Sequence, residues 1–303
     1  MNATTAPRRS SADEAPFEVR SMTVDDIEPA MAVVEAADSV HVTQGVHPPR
    51  TPPSAAQRQA QRRAHARFVE RDGPGAWVAS SDGRLVGVAE SIRRKGFWGL
   101  SMLFVQPEFQ SRGVGRELLS AALGYAKGAR VRMIQSSPDP RAMRRYALAG
   151  LAMHPAAELG GTPDRAAIPA ALPGRAGAEE DLDLVEEVEA HLGRSRTEDV
   201  AFGLTDERNR LDVVDEAGRR GWSLWHPGRL IMLGATDEDT AEVLLWRYLA
   251  GVEGEALAYG LTSASNWAFG VAHAARLTVR VGGAMFVDGM ELPAPWIPSG
   301  WYF

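Results

Sequence analysis

The sequence predicts an α/β protein of the α+β type, made of two tandem halves that are each a mixed, mostly antiparallel sheet flanked by helices. The chain has 303 residues, enough for two domains of about 150 residues each. Its apolar pattern switches repeatedly between the two-residue period of strands and the 3.6-residue period of helices. The element order of residues 17–160 recurs in residues 161–303, whereas residues 1–16 lack an apolar core and are expected to form a disordered tail.

The first half opens with a strand, a helix and a proline-rich segment at 40–54, which is expected to be an ordered loop or a lid. A basic helix follows. Alternating apolar residues, separated by tight turns, then predict three antiparallel strands over 76–80, 84–94 and 97–105. A helix, a strand, a second helix and a closing strand complete this half.

The second half begins after a segment at 160–178 in which glycine, proline and alanine dominate. An acidic helix comes first, and its carboxylates are expected on its solvated face. Strands are predicted over 210–216, 222–226 and 229–235, followed by a helix, a strand, a helix and a strand-like end. Shifting the chain on itself by 126 residues aligns the two later helices of each half without a gap, which indicates a duplicated fold.

Composition excludes several classes of protein. Apolar residues make up 45% and charged residues 24%, as in globular proteins, and no apolar run approaches the roughly 18 residues of a membrane span. The absence of cysteine excludes disulfides, thiolate metal sites and a cysteine nucleophile. The seven histidines lack paired metal-ligand spacing, so no metal is expected. A cytoplasmic protein is expected, and a homodimer stays open.

Charge is distributed unevenly along the chain. Residues 1–160 carry 21 Lys and Arg against 16 Asp and Glu, whereas residues 161–303 carry 12 against 23. Halves of opposite sign suit an anionic cofactor in the first half and a cationic partner in the second, but two ordinary solvated surfaces would give the same count. The basic excess is too small and too mixed to indicate nucleic-acid binding.

One turn carries a specific chemical signal. The predicted strand 97–105 leads into a turn containing Gly113 and Gly115, where the missing Cβ atoms let a ligand approach the backbone. A helix begins immediately afterwards, so its first amides are unpaired and favour a phosphate. Arg112 and Arg116 add cationic donors. A P-loop is excluded because no Gly-Lys-Ser/Thr is present, and a dinucleotide fold would need a third glycine in a parallel unit.

These residues resemble a known family. The run from Gln110 to Gly115 matches the Gln/Arg-x-x-Gly-x-Gly/Ala motif of the GCN5-related N-acetyltransferases (GNAT), including the preceding Val105-x-Pro107. A second family pattern, Asn-x-x-Ala-x-x-x-Tyr-x-x-x-Gly-Phe, is matched with Asp for Asn and Leu for Phe by Asp139, Ala142, Tyr146, Gly150 and Leu151. The resemblance covers residues 17–160, and the second half looks like a degenerate copy, as in tandem members of the superfamily.

The resemblance implies acetyl-CoA as the bound cofactor, with CoA as product. Its pyrophosphate would lie on the amides of 111–116, its pantetheine arm would pair with the backbone edge of 103–105, and its thioester would occupy an opening between two splayed strands. The amide of Leu103 or Val105 would polarise the thioester carbonyl. The expected cofactor-binding residues are Leu103, Phe104, Val105, Gln110, Ser111, Arg112, Gly113, Val114, Gly115, Arg116 and Asp139.

Two catalytic residues are predicted. By resemblance, Tyr146 would donate a hydrogen bond or a proton to the departing thiolate. Glu90 shares an apolar strand face, so it is expected to point inward with a raised pKa and is a candidate general base. His41 and His47, the terminal carboxylate at Phe303 and a chain of water molecules remain alternative bases.

The expected function is acetyl-CoA-dependent N-acetyl transfer to a small-molecule amine, such as an amino acid derivative, a polyamine or an aminoglycoside-like compound. Direct transfer within a ternary complex is expected, since no cysteine can form an acyl-enzyme. Three alternatives stay open: a protein acetyltransferase, a longer-chain acyltransferase and a non-catalytic acyl-CoA-binding or regulatory module.

The second half is predicted to bind no cofactor and to have a structural or acceptor-pocket role. At the offset of 126, Asp239 and Ala241 replace the two turn glycines, and the local acidic run would repel phosphate. Trp222 and Trp225 are expected to share a strand face and to line a pocket for a cationic amine.

Overall fold

The computed structural model describes residues 17–43, 53–216 and 218–302, so the predicted tail and most of the 40–54 segment lie outside the described residues. Within these ranges, strands β1 to β13 are Glu18–Ser21, Ala76–Ser81, Arg84–Arg94, Phe97–Val105, Val131–Ser136, Ala152–Gly161, Arg175–Gly177, Arg210–Glu216, Arg219–His226, Arg229–Ala235, Ala256–Leu261, Thr278–Asp288 and Trp296–Ile297. Helices α1 to α8 are Ile27–Thr43, Ala55–Asp72, Val114–Tyr125, Pro140–Leu148, Leu182–His191, Thr197–Leu204, Glu238–Gly251 and Asn266–Ala274. None of these helices has both the length and the apolar run needed to cross a bilayer.

The described strands form two mixed or antiparallel sheets, as predicted. The first has eight strands in the order β1-β2-β3-β4-β5-β12-β6-β11, and its β4–β5 pair is parallel while the other pairs are antiparallel. The second has five antiparallel strands in the order β13-β10-β9-β8-β7. Sequence patterns missed the short strand β7 and helix α6, and α1 continues four residues into the segment expected to be a loop.

The two halves exchange strands. Strand β6 follows α4 in the first half but pairs with β11 of the second, and β12 follows α8 in the second half but pairs with β5 of the first. The exchanged strands also pair with each other, so that Phe286 of β12 lies between Ile134 of β5 and Met153 of β6. One sheet therefore runs across the predicted boundary at residue 160.

A shared core also joins the halves. One cluster of buried side chains contains Phe68 and Met133 from the first half together with Val188 and Trp222 from the second. Trp225 belongs to a different cluster, formed mainly by the second half. The expectation that these two tryptophans share a face is wrong, because residues three apart on a strand point to opposite faces.

The acidic helix also differs from expectation at one position. Glu189 on α5 is fully buried rather than solvated, and it forms an ion pair of 2.8 Å with the buried guanidinium of Arg196. That guanidinium also donates to the carbonyl oxygens of Leu233 and Ile297. The pair therefore connects α5 to β10 and β13.

The internal repeat holds for the later elements and breaks at one connection. At the offset of 126, α4 (Pro140–Leu148) falls on α8 (Asn266–Ala274). Upstream, residues 106–113 join β4 to α3, whereas residues 236 and 237 alone join β10 to α7. The second half has thus lost the glycine-bearing turn and not only its glycines.

Candidate active site

A fork opens between β4 and β5. The two strands pair in parallel from Phe97 and Val131 up to Leu100 and Ile134, and beyond that point no ladder joins them. The N–H of Gln106 points toward β3, where it donates to Val86. Because amide direction alternates along a strand, the N–H groups of residues 103 and 105 point into the fork, as expected for an edge that pairs with an extended ligand.

The glycine-bearing turn lies at the end of β4 and presents free amides. Among the described residues, the N–H groups of 111–115 have no acceptor. The turn is shaped by Ser111, with φ of 64°, and by Gly113, with φ of 93°. The Arg116 amide already donates to the Gly113 oxygen at 2.9 Å. The run of amides without an acceptor therefore ends at Gly115.

Among the described residues, none fills the space above this turn. A Cβ built on Gly115 would meet Val105 Cγ2 at 3.5 Å, an ordinary contact, and one on Gly113 would meet only Arg116 Nη2, at 3.7 Å. Internal crowding does not require glycine at position 115, so the small residue leaves room for a ligand. The exposed Arg112 stacks over Phe109 at 5.4 Å and thereby stays near the turn.

Two predicted cofactor-binding residues brace the turn. Gln110 Nε2 donates to the Val105 oxygen at 3.1 Å, and its Oε1 accepts from Arg141 at 2.7 Å. Arg141 also pairs with Asp139, which caps α4 by accepting from the Arg141 amide. The two family motifs are therefore joined by a hydrogen-bonded chain that fixes the turn relative to α4.

Tyr146 lies on α4 with its ring buried against the exchanged strand. The ring meets Phe286 edge-on at 5.5 Å between centroids. Burial raises the pKa of the Tyr146 phenol well above its usual value. Its hydroxyl has no hydrogen-bond partner among the described residues. The phenol therefore stays protonated and keeps a proton to donate.

Glu90 on β3 is fully buried, as its strand pattern predicts. Burial raises the pKa of the Glu90 carboxyl, and a contact with His65 opposes that rise. His65 Nδ1 on α2 lies 2.7 Å from Glu90 Oε1, whereas Oε2 has no partner among the described residues. Sequence reasoning missed His65, although its place three residues before the buried Phe68 indicated an inward-facing position.

The other candidate side-chain and terminal bases are not among the described groups. The side chain of His41, and the whole of His47 and Phe303, lie outside the described residues.

Comparison with known proteins finds a family match within the first half of the chain. Residues 44–151 match the family model described as the Acetyltransferase (GNAT) family, and the matched segment includes the fork, the glycine-bearing turn and Tyr146. The match covers less than half of the chain, and within it residues 44–151 are similar to acetyltransferases of this family. A search of curated protein sequences finds no match.

Solved structures share the GNAT fold over most or all of the chain. A candidate acetyltransferase from Pyrococcus horikoshii is 14% identical, with a TM-score of 0.76 over 100% of this chain and 99% of the other. A GCN5-related N-acetyltransferase from Kribbella flavida is 18% identical (TM-score 0.59; 90% and 71% covered). A tandem GNAT protein from the clavulanic acid biosynthesis pathway is 16% identical (TM-score 0.54; 90% and 98% covered). At these identities the likeness shows the fold.

The second GNAT-like half has a filled cleft. Strand β13 pairs with β10 at Leu233 and Gly234, the edge that corresponds to the open edge of β4. In addition, Asp237 caps α7 by accepting from the Thr240 amide at 2.9 Å, and Ala272 stands where the first half has Tyr146. The chain itself therefore occupies the backbone edge and a helix-terminal amide that a ligand would need.

Proposed function

We propose that the first half catalyses acetyl-CoA-dependent N-acetylation of a small-molecule amine by direct transfer in a ternary complex. The observation that carries this proposal is the run of unpaired amides over 111–115 at the end of the open edge of β4. Five such N–H groups beside the N-terminus of α3 favour a diphosphate. Arg112 and Arg116 are exposed beside them and would add charge-assisted hydrogen bonds.

The filled cleft of the second half supports the assignment of the fork. There, an extended segment adds to the edge of β10 as a short antiparallel strand. No described strand pairs with the equivalent edge of β4 over 103–105, so this edge suits the extended, amide-containing pantetheine arm. We infer that acetyl-CoA binds only in the first half, with its thioester in the fork.

The chemistry follows from two buried groups. Glu90, as the carboxylate, accepts a proton from the attacking amine through its free Oε2, directly or through one water molecule. The amine nitrogen forms a bond to the acetyl carbon, and the carbon–sulfur bond breaks. The amide of Leu103 or Val105 polarises the acetyl oxygen, and Tyr146 donates its phenolic proton to the departing sulfur. His65 holds the other oxygen of Glu90 and so orients the carboxylate.

The test is release of free CoA from acetyl-CoA in the presence of a panel of amines. The chain lacks cysteine, so a thiol reagent follows this release with low background. We expect release that depends on the amine, and mass spectrometry should find the acetyl group on its nitrogen. Binding of CoA without turnover on any amine would contradict catalysis and favour a binding module, and no calorimetric heat with CoA would contradict the whole proposal.

Tyr146→Phe tests the role of the phenol. We expect kcat to fall by roughly 10²-fold or more, as for the loss of a general acid, while CoA affinity stays within about twofold. Tyr125→Phe is the matched control because it removes a phenol hydroxyl from the C-terminal end of α3, where that hydroxyl donates to Asp72. Equal kcat values for Tyr146→Phe and the wild type would contradict the assigned role.

A further inference from the structure

The segment of residues 298–302 crosses the fork of the first half. Ser101, which directly follows the last paired residue of β4, donates to the Trp301 carbonyl oxygen at 2.7 Å. On the other side, Gly300 lies against Gln135, the first residue of β5 beyond the β4 ladder; a Cβ on Gly300 would lie 2.9 Å from Gln135 Oε1. Gly300 also has φ of 80°, a backbone conformation that favours glycine there.

This segment is anchored by the second half. Arg229 on β10 donates to the Ser299 carbonyl oxygen at 3.0 Å. The Ser299 hydroxyl accepts from the amides of Trp301 and Tyr302, which makes a compact turn. Immediately upstream, β13 is paired to β10. The second half therefore holds the turn and presents its two aromatic rings to the first half.

The rings lie beside the proposed base. The Trp301 ring meets the His65 ring at 5.7 Å and the Phe68 ring at 5.9 Å. The Tyr302 ring stacks on the Phe68 ring at 5.9 Å between centroids. Since His65 contacts Glu90, an amine that reaches Glu90 Oε2 through the fork would pass close to Trp301. Trp301 is only partly buried, so part of its surface is free to contact a substrate.

Nearby anionic groups are already neutralised. Asp72 and Asp199 are buried close to this site, and Arg94 pairs with both of them. Arg67 makes a further contact of 2.6 Å with Asp199. A second ammonium group on the acceptor would find no unpaired carboxylate in this cluster, and its desolvation would be uncompensated.

We propose that Trp301 forms one wall of the acceptor site and selects monoamines that carry an apolar aryl or alkyl group. This inference rests on the proposed function of the fork, and it deepens that function by naming the acceptor class. The amine nitrogen lies toward Glu90, and the apolar group packs on the Trp301 ring. The second half thus contributes to acceptor choice without binding acetyl-CoA.

The test compares kcat and KM of the full chain for an arylalkylamine, a linear alkylamine, a polyamine and an aminoglycoside. We expect the wild type to favour the first two. Trp301→Ala should raise KM for them by roughly tenfold, the size of one lost aromatic contact, while kcat and the KM for acetyl-CoA stay within about threefold. Trp301→Phe should keep most of the preference. Val281→Ala, at a side chain 82% exposed on β12, is the inert control.

Ser101→Ala gives a second measurement because it removes the hydrogen bond to the segment and leaves the ring in the chain. We expect a smaller rise in amine KM in the same direction, with an unchanged melting temperature. If the wild type releases CoA with these amines and Trp301→Ala has the same amine preference as the wild type, the role of Trp301 is contradicted while the proposed function stands. A wild type that acetylates none of the amines would contradict the proposed function as well, and a preference for the polyamine would overturn the acceptor class.

Discussion

Replacing Arg196 with methionine should be strongly destabilising, although the residue lies far from the proposed chemistry. The change removes two side-chain bonds to Glu189, at 2.8 and 3.0 Å, and the bonds to the carbonyl oxygens of Leu233 and Ile297. Glu189 is fully buried, and it would lose both guanidinium donors of Arg196 while keeping the backbone amide of residue 196. An uncompensated buried charge of this kind costs about 3–5 kcal/mol of unfolding free energy.

The assay is urea denaturation at pH 7, followed by circular dichroism and tryptophan fluorescence. Arg208→Met is the matched control, since Arg208 makes an equally short pair with Asp206 but is exposed, and it should cost less than about 1 kcal/mol. The double change Glu189→Met with Arg196→Met should recover most of the loss, because neither charge remains buried. A loss under about 1 kcal/mol for Arg196→Met, or a double variant no more stable than the single one, would refute this reasoning.

Three further predictions concern the first half. Glu90→Gln should lower kcat by roughly 10²-fold or more and abolish the acidic limb of the pH profile of kcat/KM. Because burial raises the pKa of Glu90, that limb should lie above the ordinary carboxyl range in the wild type. The free energy of unfolding of the wild type should fall relative to that of Glu90→Gln as the pH rises through the pKa of Glu90. Gly115→Val should raise the KM for acetyl-CoA at least tenfold with little change in melting temperature, since the added side chain enters the space above the turn; an unchanged KM would argue against the pyrophosphate site. Phe286→Ala should cost about 3–5 kcal/mol of unfolding free energy, because the ring is fully buried. It should also lower kcat by loosening Tyr146, and a stable variant of full activity would count against that coupling.

Local sequence signals were sufficient to predict the glycine-bearing turn and the inward orientation of Glu90. Both depend on neighbours a few residues apart: a strand that ends at Val105, glycine at 113 and 115, and strict alternation around position 90. The fork could be expected only from the family resemblance, since no local pattern shows where two strands stop pairing.

Other features depend on partners that are distant in sequence. Strand β6 has the same local pattern whether it joins its own half or the other, so its exchange could not be predicted. The contacts of Trp301 with His65 and Ser101 likewise join the two ends of the chain. The expectation that Trp222 and Trp225 share a strand face was wrong for a simpler reason: residues three positions apart on a strand point to opposite faces.

The strand exchange also governs how this protein is made. During synthesis, Ile134 of β5 emerges long before Phe286, its partner in β12, leaves the ribosome. Until then, the nascent first half presents an unsatisfied sheet edge next to the strand of the fork, which invites pairing with other chains. Pairing between strands that are distant in sequence slows folding. We therefore expect the nascent chain to bind a chaperone until its last strands are translated.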